Sequence, residues 1–268
     1  TEPGHADDDD RAAAGVEGAQ APASAIGFDL PVLGAQTRPV WCMRESAEEP
    51  REFSYSSISA GQEHELVPGA AAEGDATELG LAFHRVAEYM ALTGLLHDGR
   101  VELPDPARIA VLRASYDLTD GQAVRLDEAL ERWTRSELAS RAASYPSIRP
   151  EVPFSLCFTE ADGTSSFLNG DIDLLCTDAE GLSAFIVDYK TGGTDAETTP
   201  KHRLQALCYA DAVFAAGMEH VELSFVRVER DDGCGQPQVV CYAFDAASRA
   251  DIEEEIRAAK TSSDGGSL

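Results

Sequence analysis

Two aspartates and a lysine stand among apolar neighbours, where charge is costly. The segment Gly170-Asp171-Ile172-Asp173-Leu174-Leu175 is followed, after one turn, by Phe185-Ile186-Val187-Asp188-Tyr189-Lys190-Thr191-Gly192. Asp173 falls inside one apolar strand pattern, and Asp188 and Lys190 at the end of the next. Charges in such places must be paired or ligated. Residues i and i+2 of a strand face the same side, so Asp188 and Lys190 project together, and Asp173 on an adjacent antiparallel strand can project beside them. Two carboxylates and an ammonium on one face suit a hard divalent cation, with the lysine turned toward a bound water or a phosphate oxygen. A plain Asp–Lys ion pair closing the sheet end would need only one carboxylate, and a second adds repulsion unless a cation is present. Asp171, nearer the turn, is expected to be solvated or to cap its strand.

The elements that position these groups follow from periodicity. Leu79, Phe83, Val86, Ala87 and Met90 recur at helical spacing after Thr77-Glu78 and stop at Gly94. Helical patterns return at 105–116 and 119–144. The period then changes to that of strands over Glu151–Thr159, Ser165–Cys176 and Leu182–Lys190, with Asp162-Gly163 and 178–181 as joints. Pro200–Ala216 reads as a helix, His220–Glu229 and Gln238–Phe244 as strands, and 246 to about 260 as a last helix. This order predicts an α/β domain around a mixed central sheet flanked by helices, with a helical insertion over 105–146. The domain is expected to span 51–262. Residues 1–50, with ten acidic and three basic side chains, read as a flexible or partly ordered acidic arm, and 263–268 as a frayed tail. The chain starts at Thr1 without a methionine and is expected to be part of a longer protein.

Gly-x-Ile-Asp followed by Val-Asp-Tyr-Lys-Thr-Gly resembles motifs of the PD-(D/E)XK nucleases, in the RecB/AddA branch that forms the C-terminal domain of bacterial helicase-nucleases. Three more segments resemble that branch in its order: the Ser-rich stretch Phe53–Ile58, the His-bearing helix Gly80-Leu81-Ala82-Phe83-His84, and the helix Gln205-Ala206-Leu207-Cys208-Tyr209. Glu151, opening Glu151-Val152-Pro153-Phe154, resembles a Glu the family carries before its first core strand. The resemblance implies a restriction-endonuclease-like fold. It also implies a Mg²⁺ or Mn²⁺ ion held by His84, Asp173, Asp188 and the backbone carbonyl of Tyr189, with Lys190 as the catalytic lysine. Gln205, Tyr209, Glu151 and Ser56 would lie around the site or the DNA strand. Read without the family, His84 is a lone histidine on an amphipathic helix, Gln205 and Tyr209 are a helix–sheet interface, and Glu151 is a strand-end surface charge. Glu88, four residues beyond His84, could bond its ring or pair with Arg85. Cys234 and Cys241 form no tight cluster, so no iron-sulphur centre is expected. No Gly-x-x-x-x-Gly-Lys-Ser/Thr occurs, so the chain is not itself a helicase motor.

Forty-eight acidic against 21 basic residues among 268 give a net charge of −27. Such a field excludes tight, salt-driven binding of DNA by this chain alone, though not cleavage of a strand that another domain delivers. No apolar run reaches the roughly 20 residues of a membrane span, and the six cysteines lack a CxxC pair, which reads as a cytoplasmic protein with reduced, mostly buried thiols. The expected function is a metal-dependent DNA nuclease domain of a helicase-nuclease that processes double-strand ends for recombinational repair. Its partners would be single-stranded DNA or an unwound duplex end, a motor in the same parent chain and a second nuclease/helicase subunit. Two alternatives stand beside it: a catalytically silent DNA-end-binding or partner-docking scaffold of the same fold, and a standalone repair or CRISPR-associated exonuclease.

Overall fold

The computed structural model describes residues 51–54, 74–159, 163–192 and 200–264. All lie in the unit Glu49–Leu268. A short strand, β1 (Arg51–Ser54), is followed by α1 (Gly74–Leu92) and a hairpin of β2 (Leu96–His97) and β3 (Arg100–Val101). Asp98 and Gly99 at its tip both have positive φ, 52° and 72°, as the favoured two-residue hairpin turn requires. The helical pattern read as continuous over 119–144 divides into α3 (Asp120–Thr134) and α4 (Glu137–Ala143), after the shorter α2 (Pro106–Arg113). The break is local chemistry. Thr119 and Gln122 form a capping box that starts α3, and Ser136 Oγ accepts from Ala139 N at 3.0 Å to start α4.

Strands β4 (Ser147–Thr159), β5 (Ser165–Thr177) and β6 (Ser183–Lys190) come next, then α5 (Pro200–Ala215), β7 (His220–Asp231), β8 (Pro237–Asp245) and α6 (Arg249–Asp264). β6 is antiparallel to β5 and parallel to β7, and β8 closes the sheet antiparallel to β7. Because β6 has neighbours on both edges and helices over both faces, Ala184–Tyr189 is buried at every position, and Ala184–Val187 reads as an unbroken apolar run that Asp188 then interrupts. One core joins Leu175, Ile186, Leu223 and Phe225 to α5 and α6. The opposite core joins Leu174, Phe185, Val187 and Val226 to α1, α3 and α4. The 106–143 helices therefore form part of a layer of the fold. Leu126, Leu130 and Trp133 of α3 are fully buried there, and cutting any of them back to alanine costs about 2–5 kcal/mol.

The β4–β5 ribbon changes face part-way. Val152, Phe154, Leu156 and Phe158 pack with Leu168 and Ile172 on the α5/α6 side, whereas Ile148, Leu174 and Cys176 pack on the other. Strict alternation would keep all these even-numbered positions on one face. The reversal falls where Glu151 stands opposite Asp173, between the pairs Pro150↔Leu174 and Val152↔Ile172. Glu151 has φ 47°, a left-handed backbone uncommon for a residue with a side chain. The two carboxylates that the ladder skips thus belong to neither core face.

Of the described cysteines, Cys176 and Cys208 are buried, but Cys157, Cys234 and Cys241 are exposed, contrary to expectation. Cys157 and Cys241 alternate with inward-facing neighbours on β4 and β8, and Cys234 sits in the β7–β8 turn.

Candidate active site

β5 and β6 pair only from Thr177↔Ala184 to Leu174↔Val187. One more step in the same register would set Asp173 opposite Asp188, and there the strands part. The backbone N–H of Tyr189 donates instead to Asp173 Oδ2 at 2.8 Å, a side chain taking the place of the ladder. β6 continues along β7 as far as Lys190↔Arg227. β4 occupies one edge of β5 along its length, so β1, paired up to Ser54↔Asn169, shares the other edge with β6. Among the described residues, 170–173 have no ladder partner on that edge. This fork holds the two aspartates.

Asp188 is 2% exposed. Its Oδ1 lies 2.6 Å from Lys190 Nζ, a close ion pair, yet no donor among the described residues meets hydrogen-bond geometry at that buried oxygen. Oδ2 accepts from Gln205 Nε2 at 2.7 Å and lies 3.0 Å from the Tyr209 hydroxyl. That hydroxyl accepts from Gln205 Nε2 at 2.7 Å and lies 2.8 Å from the Asp171 carbonyl. Gln205 and Tyr209, i and i+4 on α5, are 1% and 0% exposed. They orient Asp188 from below and present no surface to solvent. The Asp171 side chain is exposed, as expected.

His84 reaches the fork from α1. Its Nε2 lies 3.2 Å from the Tyr189 carbonyl, and its Nδ1 3.5 Å from Asp173 Oδ1 and 3.8 Å from Glu151 Oε1. Donor atoms of His84, Glu151 and Asp173 all fall within 4.8 Å of one another. Burial alone would lower the pKa of His84, but the Glu151 carboxylate beside its ring and the charges of Asp173 and Asp188 outweigh it and raise it from 6.5 to about 9. Burial first, then the Asp188 charge, raises Asp173 to about 7 against the pull of His84, Lys190 and the Tyr189 N–H. A proton on the imidazole thus offsets negative charge that a cation would otherwise neutralise. The donor cluster contains His84, Glu151 and Asp173, with the Tyr189 carbonyl 3.2 Å from His84 Nε2, while Asp188 stands outside it, its Oδ1 ion-paired with Lys190. One imidazole nitrogen with carboxylate and carbonyl oxygens is a donor set that a divalent ion of the Mg²⁺ or Mn²⁺ kind accepts, so these residues fit such an ion.

A family model for the PD-(D/E)XK nuclease superfamily matches residues 48–266. The chain belongs to that superfamily. Its mixed sheet flanked by helices is the fold expected of a PD-(D/E)XK domain. Solved structures resemble it more distantly. A candidate exonuclease from Eubacterium rectale is 10% identical, with TM-score 0.43, over 81% of this chain and 83% of that one. The protein SSO0001 is 12% identical, with TM-score 0.33, over 79% and 77%. No curated protein sequence matches the chain significantly.

The PD-(D/E)XK fork has further supports. Glu151, expected by resemblance around the site, belongs to the donor cluster itself, on a left-handed backbone. Past Lys190, Gly192 N donates to Glu229 Oε2 at 2.6 Å, and Glu229 Oε1 accepts from Arg125 Nε of α3 at 2.8 Å. On the other side α1 passes so close that a Cβ on Gly80 would stand 2.7 Å from Thr191 Oγ1. Glu229 reads in sequence as an ordinary strand-end charge, and only its partners mark it. Glu88 pairs with Arg85 at 2.5 Å, which decides between its two expected roles. Ser56 lies outside the described residues.

Proposed function

We propose that this chain is a metal-dependent deoxyribonuclease domain of the RecB/AddA type, hydrolysing phosphodiester bonds as an exonuclease. The observation that carries the reading is the convergence of Asp173, Asp188, Lys190 and His84 at the fork between β5 and β6. A structural Asp188–Lys190 ion pair alone would not need, beside it, two more carboxylates from Asp173 and Glu151 gathered with an imidazole.

His84, Asp173, Asp188 and the Tyr189 carbonyl would hold a Mg²⁺ or Mn²⁺ ion, with Glu151 beside them; when bound, it supplies Lewis acidity toward the phosphate and a more acidic water. Lys190 is anchored by Asp188 Oδ1, and its side chain stays 30% exposed. It can therefore meet an incoming water or phosphate oxygen and balance charge developing there. Gln205 and Tyr209 fix the Asp188 carboxylate so that Lys190 has one preferred direction. With an ion and a lysine in place, a separate strong protein base is unnecessary.

The net charge of −27 opposes autonomous capture of a polyanion. We infer that a helicase motor in the same parent chain feeds the strand to this site and that a second nuclease/helicase subunit acts beside it, in processing double-strand ends for repair in the cytoplasm. No described helix is long and apolar enough to cross a membrane.

The test is incubation of the purified chain with 5′- or 3′-labelled single-stranded DNA and Mg²⁺ or Mn²⁺, beside Asp188→Asn and Lys190→Ala. Cleavage that needs metal and falls at least a hundredfold in both variants is expected. Unimpaired cleavage by either variant overturns the site assignment, and DNA binding without cleavage under either metal favours a silent scaffold.

A further inference from the structure

Helix α1 has a second working face. Leu79, Phe83, Val86 and Met90 enter the core, while Leu81, His84, Arg85 and Glu88, spaced i, i+3, i+4 and i+7, line an open cleft of about 450 Å³ together with Tyr116 and Glu151. His84 and Glu151 belong both to this lining and to the donor cluster at the fork. Whatever occupies the cleft is therefore next to whatever the cluster holds.

The lining is chemically uneven. Leu81 is 48% exposed, an apolar side chain left to solvent beside a cluster of charges. Tyr116 adds an aromatic ring that is half-buried against the core. The lining's one guanidinium, Arg85, is tethered by Glu88 Oε2 at 2.5 Å, which fixes its direction and leaves its side chain 49% exposed. Apolar and aromatic groups beside a guanidinium already paired with Glu88, with the Glu151 carboxylate and His84 at the end next to the donor cluster, make a poor site for a bare anion. They suit a flat, weakly polar ring attached to a phosphate.

Resting on the nuclease reading above, we propose that this cleft receives the nucleotide adjoining the scissile phosphate, its base unstacked against Leu81 and Tyr116 and its next phosphate near Arg85. The ligand class is a single-stranded polynucleotide. A base held in a duplex would first have to leave its stack and its partner, so paired DNA is disfavoured at this position. The device also suits the charge. Contact with a base face needs no positive field, so it gives a chain of net charge −27 a hold on a polyanion that does not depend on counterion release. The cleft lies within the range of about 300–1,000 Å³ typical of small-ligand pockets.

The experiment uses the full chain with Mn²⁺ and a set of short single-stranded oligonucleotides, each with one abasic position moved stepwise past the cleaved bond. For the unaltered protein, kcat/KM is expected to fall about 5- to 50-fold when the abasic position adjoins the cleaved bond and to stay within twofold elsewhere. Leu81→Ala removes an exposed side chain. It should lose a similar factor on the intact strand, show less than a twofold abasic effect, and bind Mn²⁺ as before by calorimetry. An abasic effect of equal size in both proteins, or none in either, overturns the cleft assignment while leaving the nuclease reading intact. Absence of metal-dependent cleavage of every oligonucleotide overturns both.

Discussion

Asp173 Oδ2 accepts the backbone N–H of Tyr189 at 2.8 Å, at the step where β6 leaves β5. One carboxylate thereby does two things. It satisfies a buried donor that the diverging strand would have stranded, and its other oxygen faces His84 at 3.5 Å. The fork and the candidate metal site are consequently one construction, and loss of the side chain disturbs both.

Asn and Ala at position 173 should separate those two roles. Asp173→Asn keeps an acceptor for Tyr189 N–H and removes a charge that burial and Asp188 already disfavour. Its metal-free thermal midpoint at pH 8 is expected to be no lower than that of the unaltered protein, while Mn²⁺ affinity falls at least tenfold. Asp173→Ala leaves the N–H without a partner and should lose about 1–3 kcal/mol of stability as well. Thermal melts with and without Mn²⁺ check both. Equal melting of the two variants would sink the argument.

The same charges set a pH dependence. In the metal-free protein His84 is raised from 6.5 to about 9, so its contribution to stability is full below pH 6.5 and lost as pH rises through 9. Asp173 is raised from 3.8 to about 7, so the fold favours its protonated form and loses that preference as pH rises from 3.8 through 7. Both effects make metal-free stability fall from about pH 4 to 9. Metal binding runs the other way, because ligands must give up their protons. Mn²⁺ affinity should rise across pH 6.5–9 with release of about one to two protons per ion. Calorimetry in buffers of different ionisation enthalpy counts them, and pH-independent binding would refute the assigned ligands.

Tyr209→Phe deletes the hydroxyl that accepts from Gln205 Nε2 and reaches both Asp188 Oδ2 and the Asp171 carbonyl. Since Tyr209 is fully buried, the loss should appear in kcat and metal affinity, not in KM for DNA. A fall of about 10- to 100-fold is expected, the usual effect of removing a group that orients a metal ligand. A change confined to KM would place the residue on the substrate instead.

How far the sequence reached depended on whether a signal was local. Asp173, Asp188 and Lys190 could be read because charges interrupt apolar strand patterns, and Gln205 and Tyr209 because i, i+4 on a helix fixes a shared face. Glu151 could be placed beside the site by resemblance alone: its membership of the donor cluster depends on a left-handed backbone and a ladder break that no period encodes. The split of α3 from α4 was written in Ser136, a good cap hidden inside a helical pattern. Glu229 had no signal at all, since its importance comes from Gly192, 37 residues away in sequence.

Gly80 is held small by Thr191. A helical Gly→Ala change is ordinarily stabilising by about 1 kcal/mol, but here the new Cβ would stand 2.7 Å from Thr191 Oγ1. Gly80→Ala is expected to displace the residue following Lys190 and lower kcat several-fold. The double variant Gly80→Ala/Thr191→Ala removes the colliding oxygen and should recover most of it. Failure of the second change to rescue would show that the close approach is immaterial to turnover.

Glu229 tethers the backbone just past Lys190 to the helical layer, through Gly192 N at 2.6 Å and Arg125 Nε at 2.8 Å. The Glu229 side chain is 10% exposed while Arg125 is 49% exposed, so the bond to Gly192 is the more shielded of the two and the Arg125 pair is close to a surface ion pair. Glu229→Gln keeps an oxygen for Gly192 N and should retain kcat within about threefold, a neutral hydrogen bond replacing a charge-assisted one. Glu229→Ala frees the exit of β6 and leaves Gly192 N without its acceptor. Lys190 then loses its fixed approach, and kcat should drop about tenfold or more with Mn²⁺ affinity unchanged, because Glu229 touches none of the metal donors. If the Gln and Ala variants lose activity equally, the charge on Glu229 and not its hold on Gly192 is what matters; if neither loses any, the tether has no part in positioning the lysine.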